Sequence, residues 1–154
     1  MSANLLSKKQ QLLEVCMALQ KQRIDSFRKA MEEAQQAANS EEKSTAGDKY
    51  DTSRAMNQNV RDMNAKHLQE ALKDLEMLQQ IKGDVLSKEV RLGSVVKTSK
   101  GNYFISISAG QLKLGNEIYF AVSTLAPLGQ AMLLKKAGDD FSFREQTMKI
   151  VEVF

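Results

Sequence analysis

The stretch Ile24-Asp25-Ser26-Phe27-Arg28-Lys29-Ala30-Met31-Glu32-Glu33-Ala34-Gln35-Gln36-Ala37-Ala38 decides the first half of the fold. Its apolar members Ile24, Phe27, Met31, Ala34 and Ala38 recur at alternating steps of three and four. That is the spacing of a seam between two packed helices. No Pro or Gly interrupts the chain from Ser7 to Asn39, and Leu12, Leu13, Cys16, Met17 and Leu19 continue the stripe upstream. A second unbroken stretch, from about Ser53 to Lys82, carries Met56, Val60, Met63, His67, Ala71, Leu75 and Leu78. One helix alone would leave such a stripe in water, so the two are expected to pair as an antiparallel hairpin. About thirty residues at 1.5 Å each makes arms of roughly 45 Å.

Between the arms lies Glu41-Glu42-Lys43-Ser44-Thr45-Ala46-Gly47-Asp48-Lys49-Tyr50-Asp51. Gly47-Asp48 is turn chemistry, and Asp51, Thr52 or Ser53 is suited to cap the second helix. Residues 41–52 are therefore expected to form an acidic tip. Two reasons for its acids stand open: a solvated turn with a capping aspartate, or a pair, Asp48 and Asp51, that together ligate a hard cation such as Mg²⁺.

Composition breaks after residue 84. Residues 1–84 hold 13 Lys/Arg and 13 Asp/Glu, whereas residues 85–154 hold 9 against 6, so the whole net charge of +3 lies in the second part. Seven of the nine Phe/Tyr, six of the eight Gly and 14 of the 20 Val, Ile and Thr also lie there. β-Branched and aromatic residues suit a pleated, half-buried surface. Ser94–Thr98, Tyr103–Ser108 and Glu117–Ser123 read as strands, separated by Lys100-Gly101-Asn102 and by Gly110–Gly115. Residues 126–134 read as one short helix with Pro127 in its first turn. Ala137-Gly138-Asp139 then turns the chain into a closing hairpin, Phe141–Phe143 with Met148–Val153. The expected architecture is α+β: a helical hairpin over 1–84 and a small antiparallel sheet with one short helix over 85–154.

Apolar residues at 42% and charged ones at 27% indicate a globular chain. No run approaches the roughly 18 apolar residues of a membrane span, and the first residues do not read as a signal peptide. With the single Cys16, these features lead us to expect a cytoplasmic, reducing location. Cys16 and the single histidine, His67, lack the partners that a nucleophile or a metal site needs, and both read as seam residues. The charge excess is too small to argue for a nucleic-acid binder, and Lys135 and Lys136 suit a helix C-terminus equally well, so weak or no direct DNA binding is expected.

Ala126-Pro127-Leu128-Gly129-Gln130-Ala131-Met132-Leu133-Leu134-Lys135-Lys136-Ala137-Gly138-Asp139 resembles the C-terminal signature of the bacterial Gre transcript-cleavage factors. That signature is a Ser-Pro dipeptide, an apolar short helix, a Lys pair and a Gly-Asp turn before the last hairpin. Gly47-Asp48-Lys49-Tyr50-Asp51 also resembles the family's Gly-Asp-x-x-Glu tip, in the same place between two long helices. The resemblance implies an N-terminal antiparallel coiled coil and an FKBP-like C-terminal domain. In such a factor the C-terminal domain docks at the rim of RNA polymerase's secondary channel, and the coiled coil brings its acidic tip to the active site. Carried over, Asp48 helps hold the polymerase's second Mg²⁺ and Asp51 orients the attacking water, so both are site and metal residues in that complex only. Ala126, Pro127, Leu128 and Met132 are the implied polymerase contacts. The factor has no cofactor of its own, is not itself an enzyme, and meets the RNA 3′ end only indirectly. A monomer is expected.

The chain departs from the family at several positions. Asp51 stands where the family has Glu, one methylene longer; Lys49 and Tyr50 replace small or apolar residues; Ala126 replaces the Ser before the proline, and Gln130 stands where Arg is common. The short acid keeps a second function open: a regulator that occupies the channel without stimulating cleavage. From other classes come a coiled-coil adaptor and an autonomous prolyl isomerase. Against the adaptor stand Lys21, Arg28, Glu32, Lys66, Glu70 and Lys73 on the other helical faces, and against the isomerase stands the absence of Trp.

Overall fold

The computed structural model describes residues 2–41 and 47–154, and the side chains of 3–40 and 52–154. Two long helices, α1 (Ser2–Glu41) and α2 (Gly47–Gln79), precede the strands. These are β1 (Val95–Thr98), β2 (Asn102–Ser106), β3 (Gly110–Leu114) and β4 (Glu117–Ser123), then the short helix α3 (Pro127–Met132), β5 (Asp140–Phe143) and β6 (Gln146–Val153). The protein is α+β, with a six-stranded, mostly antiparallel sheet. It divides into two compact units, Gln20–Leu75 on the one hand and Met1–Leu19 with Glu76–Phe154 on the other.

In the helical unit α1 and α2 run antiparallel. Gln20 Nε2 donates to the Ala71 carbonyl at 2.8 Å, the Phe27 ring stacks on His67 at 5.3 Å, and Arg61 Nη1 donates to Gln35 Oε1 at 2.6 Å. Ile24, Ala34 and Ala38 are buried, and Phe27 and Met31 half-buried, along the expected line of α1. The line on α2 follows the expected one at His67, Ala71, Leu75 and Leu78 and departs from it before them. Met56, Val60 and Met63 are 63%, 44% and 57% exposed. In that first half the residues withdrawn from solvent include Arg54, Asn57, Arg61 and Asn64. A long polar side chain can withdraw its hydrocarbon stem while its head stays hydrogen-bonded, as Arg61 does to Gln35. A hydropathy stripe therefore picks the wrong face of α2 in this half. The helix also starts earlier than expected: Gly47 and Asp48 are its first residues and not a turn, and Asp51, Thr52 and Ser53 lie inside it rather than at its cap. Of the expected tip 41–52, residues 42–46 lie outside the described residues.

In the second unit the sheet has the order β3-β4-β2-β1-β6-β5. Neighbouring residues on one strand point to opposite faces, and the two faces bury different cores. Val95, Phe104 and Ala121 join Leu12 and Cys16 of α1, Leu78 of α2, Ile81, Leu112, Tyr119 and Phe154. Val96, Ile105 and Val122 join Val90, Met132, Phe141, Met148 and Ile150. The sheet is thus filled on one side by the first turns of α1 and the last turns of α2, and on the other by α3 with the closing hairpin. Two expectations are corrected. Gly110–Gly115 is not a loop: Gly110 (φ 80°) opens β3 and Gly115 (φ 62°) turns the chain after it, and between them Leu112 is buried while Gln111 and Lys113 face out. The sheet is not purely antiparallel either, because β4 folds back through β3 and pairs in parallel with β2, Phe104 opposite Ala121.

Candidate docking face and helix tip

The segment around α3 is built on a proline. Ala126 is extended (φ −71°, ψ 150°), as a residue before proline prefers, and Pro127 opens the helix where no backbone donor is needed. Ser123 organises the approach: its carbonyl accepts from Ala126 N at 3.1 Å and its hydroxyl accepts from Leu125 N at 3.1 Å. After the helix the chain turns through Leu134 (φ 64°), whose N–H donates to the Val90 carbonyl at 2.8 Å.

The four implied contact residues have different fates. Pro127 is exposed, and Ala126 and Leu128 are half-buried. Met132 is fully buried in the core behind the helix, where it supports the segment and has no surface to offer a partner. The exposed apolar residues flanking the segment are Leu125 (78%) and Leu134 (67%), which the sequence pattern did not single out. Leu128 also lines a cavity of about 430 Å³ with Lys100, Tyr103, Phe143, Arg144, Gln146 and Met148. The Arg144 guanidinium lies 5.1 Å from the centre of the Phe143 ring.

Asp48 and Asp51 occupy the first turns of α2, three residues apart, which places both positions on one side of the helix. Their carboxylates lie outside the described side chains. Among the described residues no group of three His, Cys, Asp or Glu could hold a metal ion, and no helix is long and apolar enough to cross a membrane. His67 is half-buried, with Nδ1 3.8 Å from Glu70. Cys16 is fully buried, its Sγ 3.9 Å from Ser106 Oγ.

Two charged features escaped the pattern of the sequence because they join residues far apart in it. Glu117 accepts hydrogen bonds from Tyr119 Oη (2.8 Å), Lys8 Nζ (3.1 Å) and Lys97 Nζ (3.2 Å). These bonds hold its carboxyl down to about 2, while burial and the same carboxylate push the Tyr119 hydroxyl up. Lys9, on α1, is almost fully buried and donates to the Val85 carbonyl at 2.6 Å.

No family model, curated protein or solved structure matches this chain. Its functional reading therefore rests on its own residues and on the motif resemblance.

Proposed function

We propose that the protein is a Gre-like transcription factor that binds RNA polymerase in its secondary channel and stimulates cleavage of backtracked RNA. In this proposal the paired helices are a coiled coil that enters the channel, and the sheet unit is an FKBP-like domain that docks at its rim. The observation that carries it is the placement of the acids. Asp48 and Asp51 stand three residues apart in the first turns of α2, at the opposite end of that helix from Ala71, which accepts from Gln20. Two carboxylates there suit a site whose second Mg²⁺ lacks ligands and whose water needs orienting. The polymerase supplies the metal and the RNA, and the factor supplies two acids. Docking falls to Ala126, Pro127 and Leu128, flanked by the exposed Leu125, with Met132 beneath them.

The test is a pair of variants assayed on stalled, backtracked polymerase complexes. Asp48→Asn with Asp51→Asn should bind polymerase normally, lose stimulated cleavage by several orders of magnitude, and compete with the unmutated protein. Leu128→Asp should lose binding while remaining folded. Unchanged polymerase affinity in Leu128→Asp would move the docking site elsewhere. Absence of any polymerase binding by the unmutated protein would remove the proposal. The short acid favours a second reading, a channel-occupying regulator without cleavage: a misplacement of roughly 1 Å can cost about 100-fold. Slowed elongation with no cleavage at any Mg²⁺ concentration would select it, and Asp51→Glu should then restore some cleavage.

A further inference from the structure

Lys9 is 3% exposed, and its ammonium has three N–H groups, of which the Val85 carbonyl takes one. Among the described residues no carboxylate meets it. Burying a cation without a counter-charge is unfavourable, and burial lowers the Lys9 pKa below its ordinary value. Lys9 lines a cavity of about 200 Å³ together with Gln80, Ile81, Lys82, Val85, Arg91 and Leu92. Three of these seven side chains are cations and none is an acid. Glu89, beside Arg91 on the chain, is shared between Arg91 Nη2 at 3.4 Å and Lys136 Nζ at 3.7 Å. Lys82 has no ion pair among the described residues. The C-terminal carbonyls of α2 would favour one cation near Gln80, but they do not account for three around one concavity.

We propose that this cavity is an oxyanion site that takes phosphate or diphosphate, with Lys9 as the buried charge and Lys82 and Arg91 as its rim. The site is independent of polymerase docking. The donors approach from separate places on the chain, the last turns after α2, the 85–92 segment and α1. A tetrahedral oxyanion offers acceptors in all these directions, whereas a carboxylate offers two oxygens in one plane. Size limits the ligand further. Pockets for drug-sized molecules span roughly 300–1,000 Å³, so a concavity of about 200 Å³ suits a phosphate or diphosphate group, with any nucleoside attached to it lying outside.

The test uses the full chain with sodium phosphate, sodium pyrophosphate and ADP, each against sodium chloride at equal ionic strength. Pyrophosphate should raise the melting temperature in a concentration-dependent manner and should bind as tightly as ADP, since the nucleoside stays outside. Lys82→Gln and Arg91→Gln, both on the exposed rim, should each weaken pyrophosphate binding at least tenfold, and Lys9→Met should abolish it. Should Lys9→Met not fold, the two rim variants decide alone. In side-chain NMR, saturating pyrophosphate should raise the Lys9 pKa, which a lysine serving only to hold the Val85 carbonyl would not show. Stabilisation no greater than that by chloride, or rim variants with unchanged affinity, would overturn the oxyanion site. ADP binding tenfold tighter than pyrophosphate would overturn the size assignment.

Discussion

Gly129 offers a quantitative check on the segment proposed to dock. It lies buried in α3, where replacing Gly by Ala ordinarily gains about 1 kcal/mol of helix propensity. Here a Cβ would overlap the Ser123 carbonyl oxygen and fall 3.0 Å from its carbon and 3.3 Å from Thr124 Cα. All three are backbone atoms, so no side chain can swing aside. The contact needs about 1 Å of relief, and moving the Ser123 carbonyl weakens its bond from Ala126 N. Overpacking of this kind costs about 1–3 kcal/mol, and the strained hydrogen bond about 1 more. Set against the propensity gain, Gly129→Ala should destabilise by about 1–3 kcal/mol, or roughly 2–12 °C in melting temperature for a chain of this length. Urea titration followed by circular dichroism reads it as a lower midpoint at unchanged slope. Gly110→Ala is the control: nothing lies within 4 Å of a Cβ there, and only the positive φ of 80° opposes it, at about 1 kcal/mol. A Gly129→Ala protein more stable than the parent would refute the close approach of α3 to the end of β4, and with it the geometry of the docking segment.

Two further outcomes follow from buried and charged groups. Gln20 Oε1 is buried without a hydrogen-bond partner while Nε2 bonds the Ala71 carbonyl. Gln20→Met should therefore be neutral or stabilising by up to about 2 kcal/mol in urea, because an unsatisfied acceptor costs more than one net hydrogen bond contributes; a loss above about 1 kcal/mol would mean that ordered water satisfies the oxygen. Glu117 has a folded pKa of about 2 against an ordinary 4.5, so its stabilising contribution is present above pH 4.5 and is lost as pH falls through about 2. Urea midpoints of the parent and Glu117→Gln should converge across that window, and a constant gap would exclude the Lys8–Glu117–Lys97 cluster as its source.

Local signals were legible where neighbouring residues alone decide the conformation. The β-branched and aromatic run from Glu117 to Ser123, bounded by polar residues, gave both ends of β4, and Pro127 marked the start of α3. The seam of α1 was legible because Ile24, Ala34 and Ala38 are apolar and are buried. The facing line on α2 was legible at His67, Ala71, Leu75 and Leu78 but not before them, where the residues withdrawn from solvent are the polar Arg54, Asn57, Arg61 and Asn64. β3 was hidden by Gly110 and Gly115, which resemble the glycines of a loop. At the candidate site, Pro127 and Leu128 could be picked from a motif, but the burial of Met132 and the exposure of Leu125 and Leu134 depend on packing against β-strands elsewhere. Lys9 gave no signal, since a lysine on a helix is ordinarily solvated.

The core shared by Leu12, Cys16, Leu78 and the strands also sets an order of events in folding. Its contacts join distant residues: Lys8 and Glu117 are 109 positions apart, and Cys16 and Ser106 are 90. Helix α1 forms early and locally during synthesis, yet its apolar first turns wait for strands made much later. Until then Leu12 and Cys16 remain open to water, to chaperones and to other chains. Closing such long loops slows the search for the native state far more than it lowers final stability. An isolated piece beginning at residue 85 would lack Leu12, Cys16, Leu78 and Ile81 altogether, and its sheet would present a bare apolar face.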